Sequence, residues 1–182
     1  MATRRAGLTY EDYAALPDDG LRYELHDGEL SVTPAPGTRH QRIIGTLHVV
    51  LRAHVDTRRL GEVLLSPLDV ILSRRSVVQP DIIFVASADA SRVSARGIEG
   101  GPTLAVEVLS PSTTTIDRAT KLRLYARHGV PYYWIVDPDV RAIEAYALAE
   151  GAYRLVATAS GRGPVSLPPF ADLALAADSV FP

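Results

Sequence analysis

The chain has 182 residues, of which 47% are apolar, so it can form one domain (residues 1–182) with a sizeable core and is not a disordered chain. It contains no cysteine, which excludes a disulfide framework and a thiolate metal site. The first eight residues lack the apolar core of a signal peptide, and no apolar run reaches membrane-spanning length. From these absences we expect a cytoplasmic protein of bacterial type with no membrane contact.

Charge is distributed unevenly along the chain, although the net charge is only −2. Residues 1–30 carry seven acids against three arginines, whereas residues 31–75 carry seven arginines against three acids. The second block can provide a local basic track for a polyanion. The weak overall basicity argues against tight nonspecific binding of duplex DNA, because neutralisation of phosphates supplies most of that affinity.

A β-hairpin is predicted near the N-terminus, because residues 21–32 alternate apolar and polar around Asp27-Gly28, a two-residue turn signal. Its polar face carries Glu24, His26, Glu29 and Ser31. We expect this face, including Glu24, to be a solvated surface. Glu29 lies beside His26 across the strand pair and is kept as an auxiliary candidate for a functional site.

A helix is predicted from His40 to Val55, with an apolar side that packs on a sheet. His40 stands at its start, between Arg39 and Arg42. Free backbone N–H groups and positive charge meet there, which suits an anion such as phosphate. We therefore assign an auxiliary role to His40 and nucleic-acid contacts to the two arginines. The alternative is that His40 is an ordinary surface residue.

Several short strands follow this helix, at 62–65, 68–72 and 77–78, and a fourth begins just after Asp81. Consecutive short strands favour an antiparallel meander. Residues 89–101 are polar and rich in glycine, so they are predicted to form a surface connection.

Residues 103–136 read as strand, helix and strand, which predicts a right-handed crossover between two parallel strands. The first strand contains Glu107, and residues 110–115 are rich in residues that cap a helix. The helix is predicted to bury a stripe formed by Ile116, Ala119, Leu122 and Ala126. Residues 143–157 predict an outer hairpin beyond the second strand.

Asp81 and Glu107 stand out because each lies in or beside an apolar strand. An unpaired ionised carboxylate in an apolar interior costs several kcal/mol, so each acid needs a cation, a donor or a metal ion. Their carboxylates, with the backbone carbonyl of Val108, suit a hard cation such as Mg²⁺ or Mn²⁺. The structural alternative is that Asp81 caps a strand end and Glu107 pairs with a buried arginine.

An ordered set of segments along the chain carries a family resemblance. The segments are Tyr23–Leu30, Arg39–Arg42, Pro80-Asp81, Glu107–Ser112, Lys121-Leu122 and Tyr133–Pro138. Together they resemble the Uma-two family, which belongs to the PD-(D/E)XK nuclease superfamily. The resemblance implies an α/β (mixed α+β) restriction-endonuclease-like core, with a mixed central β-sheet flanked by helices and an extra N-terminal hairpin. It also implies that Asp81 and Glu107 bind a divalent metal.

One position departs from the superfamily pattern, which would place a lysine two residues after Glu107, where this chain has Leu109. Lys121 is the only lysine among 19 basic side chains. We therefore predict that Lys121 supplies the missing ammonium and is catalytic together with Asp81 and Glu107. The alternative is an exposed ion pair of Lys121 with Asp117 one helical turn away.

The predicted function is a Mg²⁺- or Mn²⁺-dependent endonuclease that hydrolyses phosphodiester bonds of DNA. Two alternatives stay open. One is a nuclease-like fold that has lost catalysis and binds nucleic acid or a protein. The other is a hydrolase that uses Asp81 and Glu107 as an acid–base pair without metal and so survives chelation. A homodimer is expected because cutting both strands of a duplex usually requires two sites.

Overall fold

The computed structural model describes residues 7–111 and 113–182. Two parts of the chain lie outside the described residues. One is residues 1–6, for which no signal peptide was predicted, and the other is Ser112, within the predicted helix-capping residues 110–115. In chain order the elements are α1 (Tyr10–Ala14), β1 (Arg22–His26), β2 (Glu29–Thr33), α2 (Thr38–Arg58), β3 (Gly61–Leu65), β4 (Val70–Ser73), β5 (Ser76–Val78), β6 (Ile82–Ala86), β7 (Val93–Ser94), β8 (Gly97–Glu99), β9 (Leu104–Val108), a π-helical segment (Ile116–Lys121), α3 (Leu122–Arg127), β10 (Tyr132–Asp137), β11 (Ala142–Ala149), β12 (Ala152–Ser160), β13 (Pro164–Ser166) and β14 (Ala174–Ala176). Within these ranges, no helix combines the length and the hydropathy that a bilayer crossing requires.

Two six-stranded sheets organise the chain. The central sheet has the order β12-β11-β10-β9-β6-β3, and the N-terminal sheet has the order β2-β1-β5-β4-β8-β7. In the central sheet β9 and β10 are parallel, while β10–β11, β11–β12, β6–β9 and β3–β6 are antiparallel. The mixed central sheet, the parallel crossover and the outer hairpin are thus as predicted.

The N-terminal hairpin forms with its predicted turn, in which Asp27 and Gly28 both have positive φ angles (54° and 90°). This geometry is typical of a two-residue hairpin turn that matches the twist of the strands. Instead of standing apart, the hairpin joins the N-terminal sheet through the pair Leu25 and Val77.

The predicted antiparallel meander is wrong in part. Strands β4 and β5 are antiparallel neighbours, but β3 leaves them and pairs with β6 in the central sheet. The buried side chain of β3, Val63, belongs to the core beneath α2, whereas Val70 of β4 belongs to a second core. The predicted surface connection at 89–101 is also wrong in part, because β8 is hydrogen-bonded into the N-terminal sheet with Ile98 buried.

The central sheet has a different core on each face. Helix α2 covers one face with buried Ile43, Ile44, Leu47, Leu51 and Val55, which cluster with Ile82, Val106 and Trp134. Helix α3 and the N-terminal sheet cover the other face, where Ile83 of β6 and Ala105 of β9 are buried. Because side chains alternate along a strand, Asp81 points to the same side as Ile83, and Glu107 to the same side as Ala105. Both acids therefore face α3 and the N-terminal sheet.

The buried stripe predicted for the crossover helix is wrong. Ile116, Ala119, Leu122 and Ala126 are only partly buried. The buried positions are Asp117, Lys121, Leu124 and Tyr125. These positions have ordinary helical spacing, but two of them are charged. Asp117 pairs with Lys121 one turn along the same helix, and Lys121 also meets acids on other elements.

Candidate active site

Asp81 and Glu107 meet at the floor of one cleft. The antiparallel register of β6 and β9 pairs Ile82 with Val106, so its continuation brings Asp81 opposite Glu107. Both acids line a cleft of about 210 Å³, and their exposed fractions are only 4% and 2%. The two strands therefore bring together the two acids that the sequence singled out.

Asp81 is held by three groups. Its Oδ2 atom accepts a hydrogen bond from the Val108 backbone N–H at 2.8 Å and lies 3.2 Å from His40 Nε2. Its Oδ1 atom lies 3.4 Å from Arg22 Nη1. Burial alone would raise the pKa of Asp81, but His40, Arg22 and the Val108 N–H together hold that pKa below its ordinary value. Asp81 is therefore a carboxylate. Its hydrogen bond from the Val108 backbone N–H also fits the alternative that Asp81 caps a strand end.

Glu107 has a lysine as its partner, where the structural alternative expected an arginine. Its Oε1 atom accepts hydrogen bonds from Lys121 Nζ and from the Tyr125 hydroxyl, each at 2.9 Å. Burial raises the pKa of Glu107 well above its ordinary value. Lys121 opposes this shift, whereas the neighbouring acids Asp117 and Asp81 add to it. Glu107 therefore holds a proton up to a higher pH than an exposed glutamate does.

Lys121 is buried, with 4% of its surface exposed. Its ammonium contacts three carboxylates: Glu107 at 2.9 Å, Glu24 at 3.1 Å and Asp117 at 3.5 Å. Burial alone would lower the pKa of Lys121, but these acids raise it above its ordinary value. The alternative of an exposed pair with Asp117 is thus wrong, because both members of that pair are buried. Leu109, at the position of the superfamily lysine, is buried in the core beneath α3.

The solvated position expected for Glu24 is wrong, since this side chain is 1% exposed. The polar face of the hairpin turns toward the central sheet at Glu24, where Lys121 meets it. Burial would raise the pKa of Glu24, but Lys121, His26 and Arg22 lower it to about 2. Pattern reasoning missed Glu24 and Asp117 as members of the cluster. The available signals were the motif around Tyr23–Leu30 and the spacing of Asp117 from the only lysine.

The start of α2 opens on the same cleft. Gly37 precedes the helix, and His40 in its first turn lines the cleft, with Nε2 2.8 Å from the Val108 carbonyl oxygen. The other ring nitrogen of His40, Nδ1, is buried and has no hydrogen-bond partner in the part of the chain that the structure describes. Burial alone would lower the pKa of His40, but the contact with Asp81 raises that pKa above its ordinary value.

Three predicted site residues lie outside this cluster. Arg39 is exposed and turned toward Asp139, at 3.3 Å, and toward the Pro138 carbonyl. Arg42 is exposed on α2. Glu29 is also exposed, and it lines a different cleft together with His26 and Arg123.

The buried charges of the cluster do not balance. Four acids (Glu24, Asp81, Glu107 and Asp117) face two permanent cations, Arg22 and Lys121, which leaves a formal charge of −2 when His40 is neutral. Across residues 7–111 and 113–182, no group of three or more His, Cys, Asp or Glu side chains is arranged to hold a metal. The donors that fit an ion are the carboxylates of Asp81 and Glu107 and the Val108 carbonyl. This small oxygen set suits Mg²⁺ or Mn²⁺, which keep several water ligands.

Comparison with known proteins agrees with this architecture. No curated protein matches the chain. A crystal structure described as a putative nuclease belonging to DUF820 from Anabaena variabilis ATCC 29413 is similar, with a TM-score of 0.79 and 21% sequence identity. The similarity covers 96% of this chain and 97% of that chain, and it confirms the predicted restriction-endonuclease-like fold. The model of the Uma2 family, described as "Putative restriction endonuclease", matches residues 10–178. Since that match spans almost the whole fold and both acids of the cleft, the chain belongs to the Uma2 family.

Proposed function

We propose that this protein is a Mg²⁺- or Mn²⁺-dependent endonuclease that hydrolyses phosphodiester bonds of DNA. The observation that carries the proposal is the pair Asp81 and Glu107 on one cleft floor, inside a buried cluster with a formal charge of −2. One divalent ion neutralises that charge, whereas a metal-free cluster has to take up protons. The raised pKa of Glu107 supports this account.

Asp81, Glu107 and the Val108 carbonyl would hold the ion. When bound, it supplies Lewis acidity toward a phosphoryl oxygen and makes water more acidic. His40 Nε2 contacts Asp81 and the Val108 carbonyl, so an ion and the His40 ring compete for the same oxygen atoms. Release of the ring from these atoms leaves it free to donate to a phosphate in the cleft.

Lys121 is proposed to stabilise the negative charge that develops during the reaction. Its ammonium lies 2.9 Å from Glu107 and lines the cleft, so it is fixed before substrate arrives. A charged donor held in this way costs little reorganisation in the transition state. The free N–H groups at the start of α2 add positive potential to the same cleft, which suits the scissile phosphate.

Two further parts of the proposal concern substrate and assembly. Arg39 and Arg42 are proposed to contact the DNA backbone beyond the cleft, and Arg39 has to exchange Asp139 for a phosphate to do so. A homodimer is proposed because one such cleft can cut only one strand at a time.

Cleavage assays test the function directly. Supercoiled plasmid and short duplex or single-stranded DNA are expected to be cut in Mg²⁺ or Mn²⁺, with activity lost on chelation and in Asp81→Asn. Activity that survives chelation would instead favour the acid–base hydrolase. Tight DNA binding without cleavage in either metal would favour the inactive binding module.

His40→Ala is expected to raise KM for DNA by at least about 10-fold, because a hydrogen bond to a charged group contributes roughly 1.5–3 kcal/mol. Turnover should also fall, since His40 lies in the cleft beside Asp81. Steady-state kinetics and fluorescence anisotropy with duplex and single-stranded DNA measure both effects. His48→Ala, farther along α2, is the matched control and should behave as the parent. If binding and turnover are unchanged in His40→Ala, His40 has no part in the site.

A further inference from the structure

Glu24 is a buried acid to which the proposed chemistry gives no role. It lies on β1, in the N-terminal sheet, while Asp81 and Glu107 belong to the central sheet. The described residues that line the cleft do not include Glu24, so it has no direct access to a substrate. Its function has to pass through the groups that it touches.

Each contact of Glu24 holds it in place or links it to the cluster. Oε1 accepts a hydrogen bond from the Gln79 backbone N–H at 2.8 Å and lies 3.1 Å from Lys121 Nζ. Oε2 lies 3.1 Å from His26 Nε2, and Arg22 is 3.7 Å from Oε1. Glu24 is therefore fixed by its own sheet and presents one charged oxygen atom to Lys121.

Lys121 needs such a contact because its four-carbon stem is flexible and its ammonium can rotate among partners. Glu107 holds the ammonium from the central sheet, at 2.9 Å, and shares the same oxygen with the Tyr125 hydroxyl. Glu24 holds it from the opposite sheet, at 3.1 Å. Asp117, on the same helix as Lys121, lies farther from the ammonium, at 3.5 Å. Glu24 and Glu107 are therefore the two closer anchors, and they hold the ammonium between the two sheets.

We propose that Glu24 is a positioning residue that fixes the Lys121 ammonium between the two sheets and acts on the reaction only through Lys121. The role of Lys121 in the reaction rests on the proposed function. The position of its ammonium does not, so the two can fail separately.

The position can be measured by NMR because the chain contains a single lysine. Protein labelled with [ε-¹⁵N]lysine gives one Nζ signal, which reports on Lys121 alone. Exchange of the ammonium protons with water is expected to be at least about 10-fold faster in Glu24→Gln, since the ion pair that holds the ammonium from the N-terminal sheet is lost. The control is Glu29→Gln, an exposed acid on the same hairpin, and it should match the parent. Parent-like exchange in folded Glu24→Gln would overturn the proposal.

The kinetic consequence is tested with a double-mutant cycle. Glu24→Gln is expected to lower kcat at least about 10-fold, as for other supporting residues around an active site, with KM nearly unchanged. In a Lys121→Ala background, Glu24→Gln should alter the residual rate by less than about twofold, because the function through which Glu24 acts is already lost. Independent, multiplicative losses would show that Glu24 acts by another route and would overturn the proposal.

Glu24→Asp carries the test if Glu24→Gln does not fold, because it keeps the charge and withdraws it by one methylene. Its expected result is faster ammonium exchange with unchanged Mn²⁺ affinity, and parent-like exchange would refute the proposal. The failure of the proposed function looks different. A parent without metal-dependent cleavage, or a fully active Lys121→Ala, would refute that function, while the NMR measurement would still decide whether Glu24 positions Lys121.

Discussion

Replacing Asp81 or Glu107 by alanine is expected to weaken binding of Mg²⁺ or Mn²⁺ by at least about 100-fold, because even outer-shell partners of metal ligands are worth roughly 10–100-fold in affinity. The two carboxylates are adjacent on the cleft floor, and each would be half of the charged donor set. Titration calorimetry with Mn²⁺ measures the affinity of the parent and of each variant. One ion per chain is expected for the parent.

Two kinds of control separate ligation from folding. Asp81→Asn and Glu107→Gln preserve side-chain volume and should lose the ion as the alanine variants do. Glu29→Ala removes an exposed acid outside the cleft and should bind the ion as the parent does. Parent-like affinity in both alanine variants would show that the metal site is assigned to the wrong residues.

The pH dependence of binding provides a second signature of the same event. Burial raises the pKa of Glu107 above its ordinary value, so its carboxyl holds a proton up to a higher pH than an exposed glutamate does. An ion that binds the carboxylate has to displace this proton, so the affinity should rise as pH increases through the raised pKa. Calorimetry in buffers of different ionisation enthalpy should detect proton release. Affinity independent of pH would argue against Glu107 as a ligand.

Local patterns were sufficient where neighbours in sequence determine the structure. The turn at Asp27-Gly28 fixes the first hairpin, the apolar periodicity of α2 fixes its buried side, and the crossover follows from the order of strand, helix and strand. The pairing of β3 with β6 could not be predicted in this way. That pairing depends on which core accepts Val63, and this is decided by residues distant in sequence.

The two acids of the cleft were found because a carboxylate in an apolar strand is conspicuous. Glu24 and Asp117 were missed because each lies in a pattern that is ordinary for a solvated surface. Their burial is possible because Lys121 compensates both acids. Asp117 lies one turn away on the same helix, whereas Glu24 lies on another element, and the contact with Glu24 leaves no trace in a single segment. The charged face of the crossover helix therefore appears only once the two sheets and the helix are brought together.

Lys121→Ala is expected to lower turnover at least about 100-fold, since removing one preorganised donor from a reacting charge costs roughly 10²–10³ in rate. Lys121→Arg should lose turnover as well. The ammonium fits among Glu24, Glu107 and Asp117 at 2.9–3.5 Å, and a planar guanidinium is too large to reproduce these contacts without moving them. Steady-state cleavage rates at saturating DNA and Mn²⁺ measure the loss.

Lys121→Ala should also destabilise the fold, because removing one partner from a buried ion pair costs about 3–5 kcal/mol. The sign of its pH dependence follows from Glu24, whose pKa is lowered to about 2 in the folded protein although burial opposes that shift. This group stabilises the parent at a pH above the ordinary glutamate pKa, and its contribution disappears as pH falls toward 2. The stability difference between parent and Lys121→Ala should therefore be larger at pH 7 than at pH 3 in denaturant unfolding.

Turnover has to be compared under conditions in which every variant is folded. Lys121→Met is therefore measured together with Lys121→Ala, because methionine preserves most of the side-chain volume. Both are expected to retain Mn²⁺ binding, because Asp81 and the Val108 carbonyl remain and Glu107 loses a competing cation. Loss of turnover with metal binding retained would assign the ammonium a role in the reaction itself. A folded Lys121→Ala enzyme that cleaves DNA at the parent rate would refute the proposal that Lys121 replaces the lysine absent at Leu109.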